Sequence, residues 1–107
     1  MKKIIINTQD YIHFINQQDI LYCKSDDCYT NIHLVNNDSF MVCKSLAMFS
    51  KELCSVVFIR VNQSYLINRN FVKFIDKKSK MIHMLNNIII PFSLKQSDIR
   101  ILLIIEE

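Results

Sequence analysis

The chain contains no glycine, and that absence removes whole classes of function. A loop that cradles phosphate on closely approaching backbone needs glycine, so neither a P-loop nor a dinucleotide fingerprint can exist here. Turns that require positive φ must fall to Asn or Asp, the next most tolerant residues. Asn36-Asn37-Asp38 and Asn86-Asn87 stand where such turns are expected. Proline occurs once, as Pro91, and stops the apolar run Ile88-Ile89-Ile90. The four cysteines contain no CxxC pair, so a zinc knuckle and a thioredoxin-like motif find no support. No apolar run approaches the ~18 residues of a membrane span. The short basic and apolar start, Met1 to Ile6, is cut off by Asn7, too soon for a signal peptide. The expected setting is the cytoplasm, without disulfides. Cys23, Cys43 and Cys54 are then expected as small buried hydrophobes, with Cys28 in a polar loop.

What remains is enough for one core. Half of the 107 residues are hydrophobic, which argues for a single folded domain over residues 1–107. The net charge of +3 is compatible with nucleic acid, but where the charge sits matters more than its sum.

Period-two alternation and polar breaks divide most of the chain into short strands. They are expected at 3–6, 11–15, 20–23, 29–35, 39–44, 55–61, 65–68, 71–76, 81–85 and 88–90. Ser45 reads as a helix N-cap, and Leu46, Phe49 and Leu53 form one apolar stripe on a helix ending near Cys54. Ser93 and Gln96 fit a capping box, followed by a stripe of Ile99, Leu102 and Leu103. The total is nine or ten short strands and two short helices, a mainly β fold of antiparallel hairpins. Adjacent helices for a helix-turn-helix are missing.

Enzymatic readings find little support. His13, His33 and His83 each fall in a strand-like run, where packing or exposure is the ordinary role. Cys28 and His33 lack a third group to orient them as a nucleophile–base pair. The spacing suggests no metal ligand set. No catalytic residue, metal or cofactor is expected.

One stretch organises the chain. Phe58 to Val61 alternates, Asn62-Gln63-Ser64 interrupts, and Tyr65-Leu66-Ile67-Asn68 resumes before Arg69. This reads as two strands around a polar loop. Amides and a hydroxyl flanked by Arg60 and Arg69 suit a nucleic-acid contact, although a plain polar turn has the same composition.

The order of features resembles the LytTR family, the β-rich DNA-binding output domain of many bacterial response regulators. The resemblance rests on Asp19-Ile20-Leu21-Tyr22, Tyr29-Thr30, Lys44-Ser45-Leu46, Phe58-Ile59-Arg60-Val61 with Ser64-Tyr65-Leu66-Ile67-Asn68, and Ile90-Pro91-Phe92-Ser93. It covers about residues 3–103. It implies an elongated stack of small antiparallel sheets whose loops enter successive major grooves of duplex DNA, with transcriptional regulation as the function. On this resemblance Tyr29, Asn62, Gln63, Ser64, Ser93 and Gln96 would face DNA, and Lys44, Arg69 and Lys95 would meet phosphates. Asp26 and Asp27 lie in a loop that would approach the backbone, where carboxylates repel phosphate unless directed at cytosine amino groups or at water. Where the family commonly has His and then a basic or amide residue, this chain has Asn62-Gln63. Paired amide hydrogen bonds suit adenine, so the loop is expected to read an A·T pair.

The implied partners are promoter DNA, a second copy on repeated half-sites, and a receiver domain or sensor outside this chain, with no membrane partner. The competing reading is a degenerate domain of the same fold that has lost DNA binding and presents its sheet edges to another protein. Lys77, Lys78 and Lys80 form a basic turn in either case, read as a solvated hairpin tip.

Overall fold

The computed structural model describes residues 1–93. The strands are β1 (Ile4–Asn7), β2 (Ile12–Ile15), β3 (Ile20–Asp26), β4 (Tyr29–Leu34), β5 (Ser39–Val42), β6 (Phe58–Arg60), β7 (Tyr65–Asn68), β8 (Val72–Asp76), β9 (Met81–Met84) and β10 (Ile89–Pro91). One helix, α1 (Leu46–Ser50), separates β5 from β6. The expected helix beginning at Ser93 lies outside the described residues. The strands form a hairpin β1-β2, a central sheet in the order β5-β4-β3-β7-β6, and a third sheet in the order β10-β9-β8. Every pairing in the three sheets is antiparallel. The molecule is elongated, with extents of 45 × 33 × 24 Å.

Period-two alternation gives the central sheet two buried faces. On one face Ile20, Cys23, Ile32, Leu34, Phe58 and Leu66 pack with α1 and the β1-β2 hairpin. On the other, Leu21, Ile59, Val61 and Ile67 pack with Ile82, Met84, Ile90 and Phe92 from the third sheet region. A bulge between Ile20 and Tyr22 interrupts the alternation, so that the consecutive residues Leu21 and Tyr22 both face the second core while Ile20 and Cys23 enter the first.

Local chemistry explains the ends of the elements. Ser45 caps α1, its Oγ accepting from the Met48 N–H at 3.2 Å. The stripe of Leu46, Phe49 and Leu53 is buried as expected. The α-helix nevertheless stops at Ser50 rather than near Cys54. Ser50 Oγ donates to the Ala47 carbonyl at 2.7 Å, and the following residues bond three back, Glu52 N–H to Phe49 O at 2.9 Å and Leu53 N–H to Ser50 O at 3.2 Å. The backbone thus tightens while Leu53 keeps its place in the core. Left-handed backbone falls on Asp27, Asn37, Asn86 and Asn87, the residue types that substitute for glycine, and also on Lys80.

Three further expectations are corrected. β3 runs on to Asp26, so Lys24 and Ser25 are strand residues and only Asp27 and Cys28 make the turn. Residues 55–57 are turn rather than strand. Cys43 lies just past β5 and is exposed, while Cys23 is buried and Cys28 exposed.

Two buried amides fasten distant segments. Asn68, fully buried at the end of β7, donates from Nδ2 to the Ile20 carbonyl at 2.9 Å and accepts from the Asn70 N–H at 2.9 Å. Gln17 donates to Lys2 O at 2.8 Å and accepts from Cys54 N–H at 2.8 Å. Each histidine packs on a ring: His13 on Phe40 at 4.7 Å, His33 on Tyr22 at 4.5 Å, and His83 on Phe74 at 4.2 Å.

Asn68→Ala should lower stability by about 2–3 kcal/mol in urea unfolding, because the Ile20 carbonyl and Asn70 N–H lose their partner. Burial and the nearby Lys24 charge lower the His33 pKa below its ordinary 6.5. The unfolded chain therefore takes up the proton first, and the neutral ring's contribution, present above pH 6.5, is lost as pH falls below it. His33→Gln should flatten the dependence of stability on pH between about 7 and 5 relative to the parent chain.

Candidate nucleic-acid interface

Antiparallel register brings distant stretches to one end of the central sheet. Asp26 pairs with Tyr29, Thr30 with Val42, Lys24 with Tyr65, and Arg60 with Leu66. That end therefore collects the β3-β4 turn with Tyr29, the residues after β5 with Lys44, and the β6-β7 loop at residues 62–64. Thr30 Oγ1 donates to the Lys44 carbonyl at 2.8 Å, tying the second of these to the first. The Ser25 N–H donates to the Ser64 carbonyl at 2.8 Å, continuing the β3-β7 ladder into the loop. Ser93 joins the same end through its N–H, which donates to the Val61 carbonyl at 2.9 Å.

The 62–64 loop is held in one shape from within. Asn62 Oδ1 accepts from the N–H groups of Ser64 at 2.8 Å and Tyr65 at 2.9 Å. Its Nδ2 donates to the Pro91 carbonyl at 2.6 Å. The Arg60 guanidinium donates to the carbonyls of Asn62 at 2.9 Å and Gln63 at 2.5 Å. Both lone pairs of the Asn62 amide oxygen are thus in use, which leaves it unable to accept from adenine N6 in this arrangement. In this arrangement Asn62 shapes the loop and clamps it to the strand end at Pro91. Gln63 is exposed at the tip and enters that network through its carbonyl.

The other sequence-derived residues divide. Tyr29 is 38% exposed at the start of β4. Lys44 is exposed and forms an ion pair with Glu52 at 2.6 Å. Arg69 is not brought to this end. It follows β7 at the opposite end of the strand, about 13 Å away along the rise of four residues, where its N–H donates to the Val57 carbonyl at 3.0 Å. Lys95 and Gln96 lie outside the described residues.

The structure adds Lys24, which the alternation pattern alone leaves outside β3. It is exposed on that strand with its Nζ 5.6 Å from the centre of the Tyr65 ring. Tyr65 in turn lies 6.0 Å from Tyr22, whose phenol pKa is raised by burial and by Tyr65. Only the cross-strand register of β3 with β7 could have revealed this pair, and nothing local encodes it. The charge at this end is mixed: Lys24, Lys44 and Arg60 stand among Asp26, Asp27 and Glu52.

Comparison with known proteins agrees with this fold. A family profile described as the LytTr DNA-binding domain matches residues 10–98. The chain is 27% identical over 74 residues to the sensory transduction protein LytT of Bacillus subtilis, covering 69% of this chain and 30% of that protein. It is 29% identical over 72 residues to the transcriptional regulatory protein LytR of Staphylococcus aureus, covering 67% of this chain and 29% of that protein. The chain thus spans less than a third of the length of these curated relatives. A solved LytTr DNA-binding domain from Bacillus cereus superimposes with a TM-score of 0.76 at 26% identity, covering 96% of this chain and 97% of that one.

If Asn62 is a shaping residue, Asn62→Ala should cost about 1–3 kcal/mol of stability, since two N–H groups lose their acceptor. Gln63→Ala should change stability by less than about 0.5 kcal/mol, as an exposed tip residue would. Equal stability of the two variants in chemical denaturation would remove the distinction.

Proposed function

Because the chain belongs to the LytTr DNA-binding domain family, we propose that it is a cytoplasmic, sequence-specific regulator of transcription that binds duplex DNA through one end of its central sheet. The observation that carries this reading is the convergence there of Tyr29, Lys44, the 62–64 loop and Ser93 from four separate stretches of sequence. The loops at this end enter successive major grooves, where base edges carry an unambiguous pattern of donors and acceptors. Gln63 reads a base edge from the tip, on a loop held rigid by Asn62 and Arg60. Ser64 and Tyr29 position the neighbouring backbone. Lys95 and Gln96 follow closely after Ser93 in sequence and add a phosphate and a groove contact.

Lys44 reaches phosphate by exchanging Glu52 for a phosphate oxygen. The pair is exposed, so its own contribution to stability is small and the exchange costs little. Arg69, at the other end of β7, serves a phosphate only if the duplex bends around the domain. Two copies on repeated half-sites would raise affinity through effective concentration, and a receiver domain or sensor outside this chain would control that pairing.

The reading is tested by titrating a labelled random-sequence duplex pool at several salt concentrations, followed by sequencing of the bound fraction. Binding should fall steeply with salt and enrich an A·T-containing site. Gln63→Ala should relax preference at one position by about 1–3 kcal/mol. Lys44→Ala and Lys95→Ala should each lower the salt slope by about 0.9, the contribution of one phosphate. Glu52→Gln should strengthen binding, because Lys44 then has no carboxylate to leave. Absence of binding at low salt would overturn the proposal and favour a protein-interaction domain of the same fold.

A further inference from the structure

The β1-β2 hairpin covers the core with one face and leaves the other bare. Ile4, Ile6 and Ile15 are buried, while their neighbours Ile5, Ile12 and Phe14 are 57%, 61% and 63% exposed. Register sets Ile5 opposite Phe14 and Asn7 opposite Ile12, so these four side chains share the outer face. Three large hydrophobes at such exposures present roughly 400 Å² of apolar surface, within the ~300–600 Å² of the largest patch on a typical monomer, a size that is often functional. A specific interface of about 800 Å² per partner that is about 56% apolar needs roughly 450 Å² of such surface from each side. The face is therefore close in apolar area to one half of a specific interface.

The charges at its two ends favour pairing with itself. The open end of the hairpin carries the exposed Lys3, and the turn end carries the exposed Asp10. Two hairpins packed face to face across a two-fold axis perpendicular to their length bring each open end to the partner's turn. Lys3 then meets Asp10 twice, and Phe14 and Ile12 pack across the axis. A two-fold contact of this kind is self-complementary by construction. A second exposed apolar row, Phe74 with Ile89 on the third sheet, is flanked by Lys73, Lys77, Lys78 and Lys80, and its nearby carboxylate, Asp76, already accepts from the Lys78 and Ser79 N–H groups at 3.1 Å, so the charge there is mostly of one sign.

We infer that the outer face of the β1-β2 hairpin is a self-association surface whose occupant is a second copy of this chain. The contact requires no DNA, so its failure is separable from failure of the DNA-binding reading. The experiment is sedimentation equilibrium of the full chain without DNA, from about 1 to 500 µM, since a standard-sized interface without deep pockets places dissociation in the micromolar range. The parent chain should pass from monomer to dimer across that range. Phe14→Glu and, separately, Ile12→Glu should weaken association at least about tenfold, with circular dichroism unchanged because both side chains are already in solvent. Lys3→Asp and Asp10→Lys should each weaken it, and the double variant should recover the parent value to within about twofold. Phe14→Glu should keep the parent's affinity for a single half-site. A chain that stays monomeric throughout overturns the inference and leaves the face to another domain or protein. Association indifferent to Phe14→Glu and Ile12→Glu, or a double charge variant that fails to recover, overturns it as well.

Discussion

The structure depends on burying both faces of β7 and its neighbours. Leu66 enters one core and Ile67 the other, with Asn68 closing the strand by bonding Ile20 at the start of β3. A slip of one residue would exchange the faces, and each core would lose every side chain that β7 contributes to it. Register is therefore fixed in the centre of the sheet, and from there it sets the position of each strand end. The candidate interface inherits its shape from this constraint. Ser64 stands beside Ser25, and Lys44 beside Thr30, because the ladders further in leave no other alignment.

Hydrogen bonding within the interface is unusually inward. Asn62, Arg60 and the Pro91 carbonyl bond to one another and to the loop backbone. Such a loop gives up potential contacts in exchange for order, and order reduces the entropy lost when a partner is met. The mixed charge at this end has a parallel effect. With Glu52 paired to Lys44 and with Asp26 and Asp27 at the same end of the sheet, attraction to a phosphate backbone would be moderated, and non-specific affinity with it.

Most of the fold was legible in the sequence because its signals are local. Alternation marked the strands, Ser45 marked the helix start, and Asn37, Asn86 and Asn87 marked turns in a chain without glycine. The family resemblance was legible for the same reason, resting on short phrases such as Phe58 to Val61 and Ser64 to Asn68. Most of what sequence reasoning missed is non-local. Asn62 is the exception in part: its bonds from the Ser64 and Tyr65 N–H groups are a local Asx-type turn that was read as an outward amide, and only the Pro91 contact waits for the third sheet. Arg69 looked close to the loop because it is close in sequence, yet β7 lies between them. Cys43 looked buried because it extends a strand-like run, but β5 ends one residue earlier. The β1-β2 hairpin showed its strands plainly, whereas its bare outer face emerges only from the cross-strand register.

The pairing of β3 with β7 also determines when the molecule becomes competent. It joins residues 22–24 to residues 65–67, across about 40 residues of intervening chain. The β3-β4 and β4-β5 hairpins can close early and locally, but the central ladder must wait for the closure of that long loop. On a ribosome the first half of the chain emerges with one sheet face uncovered and no second core. The β3-β4-β5 hairpins bring Tyr29 and Lys44 together early, and the 62–64 loop with Gln63 joins them only when the β3-β7 ladder closes. A partly synthesised or partly unfolded chain then carries the Tyr29 and Lys44 part of the candidate surface without its loop.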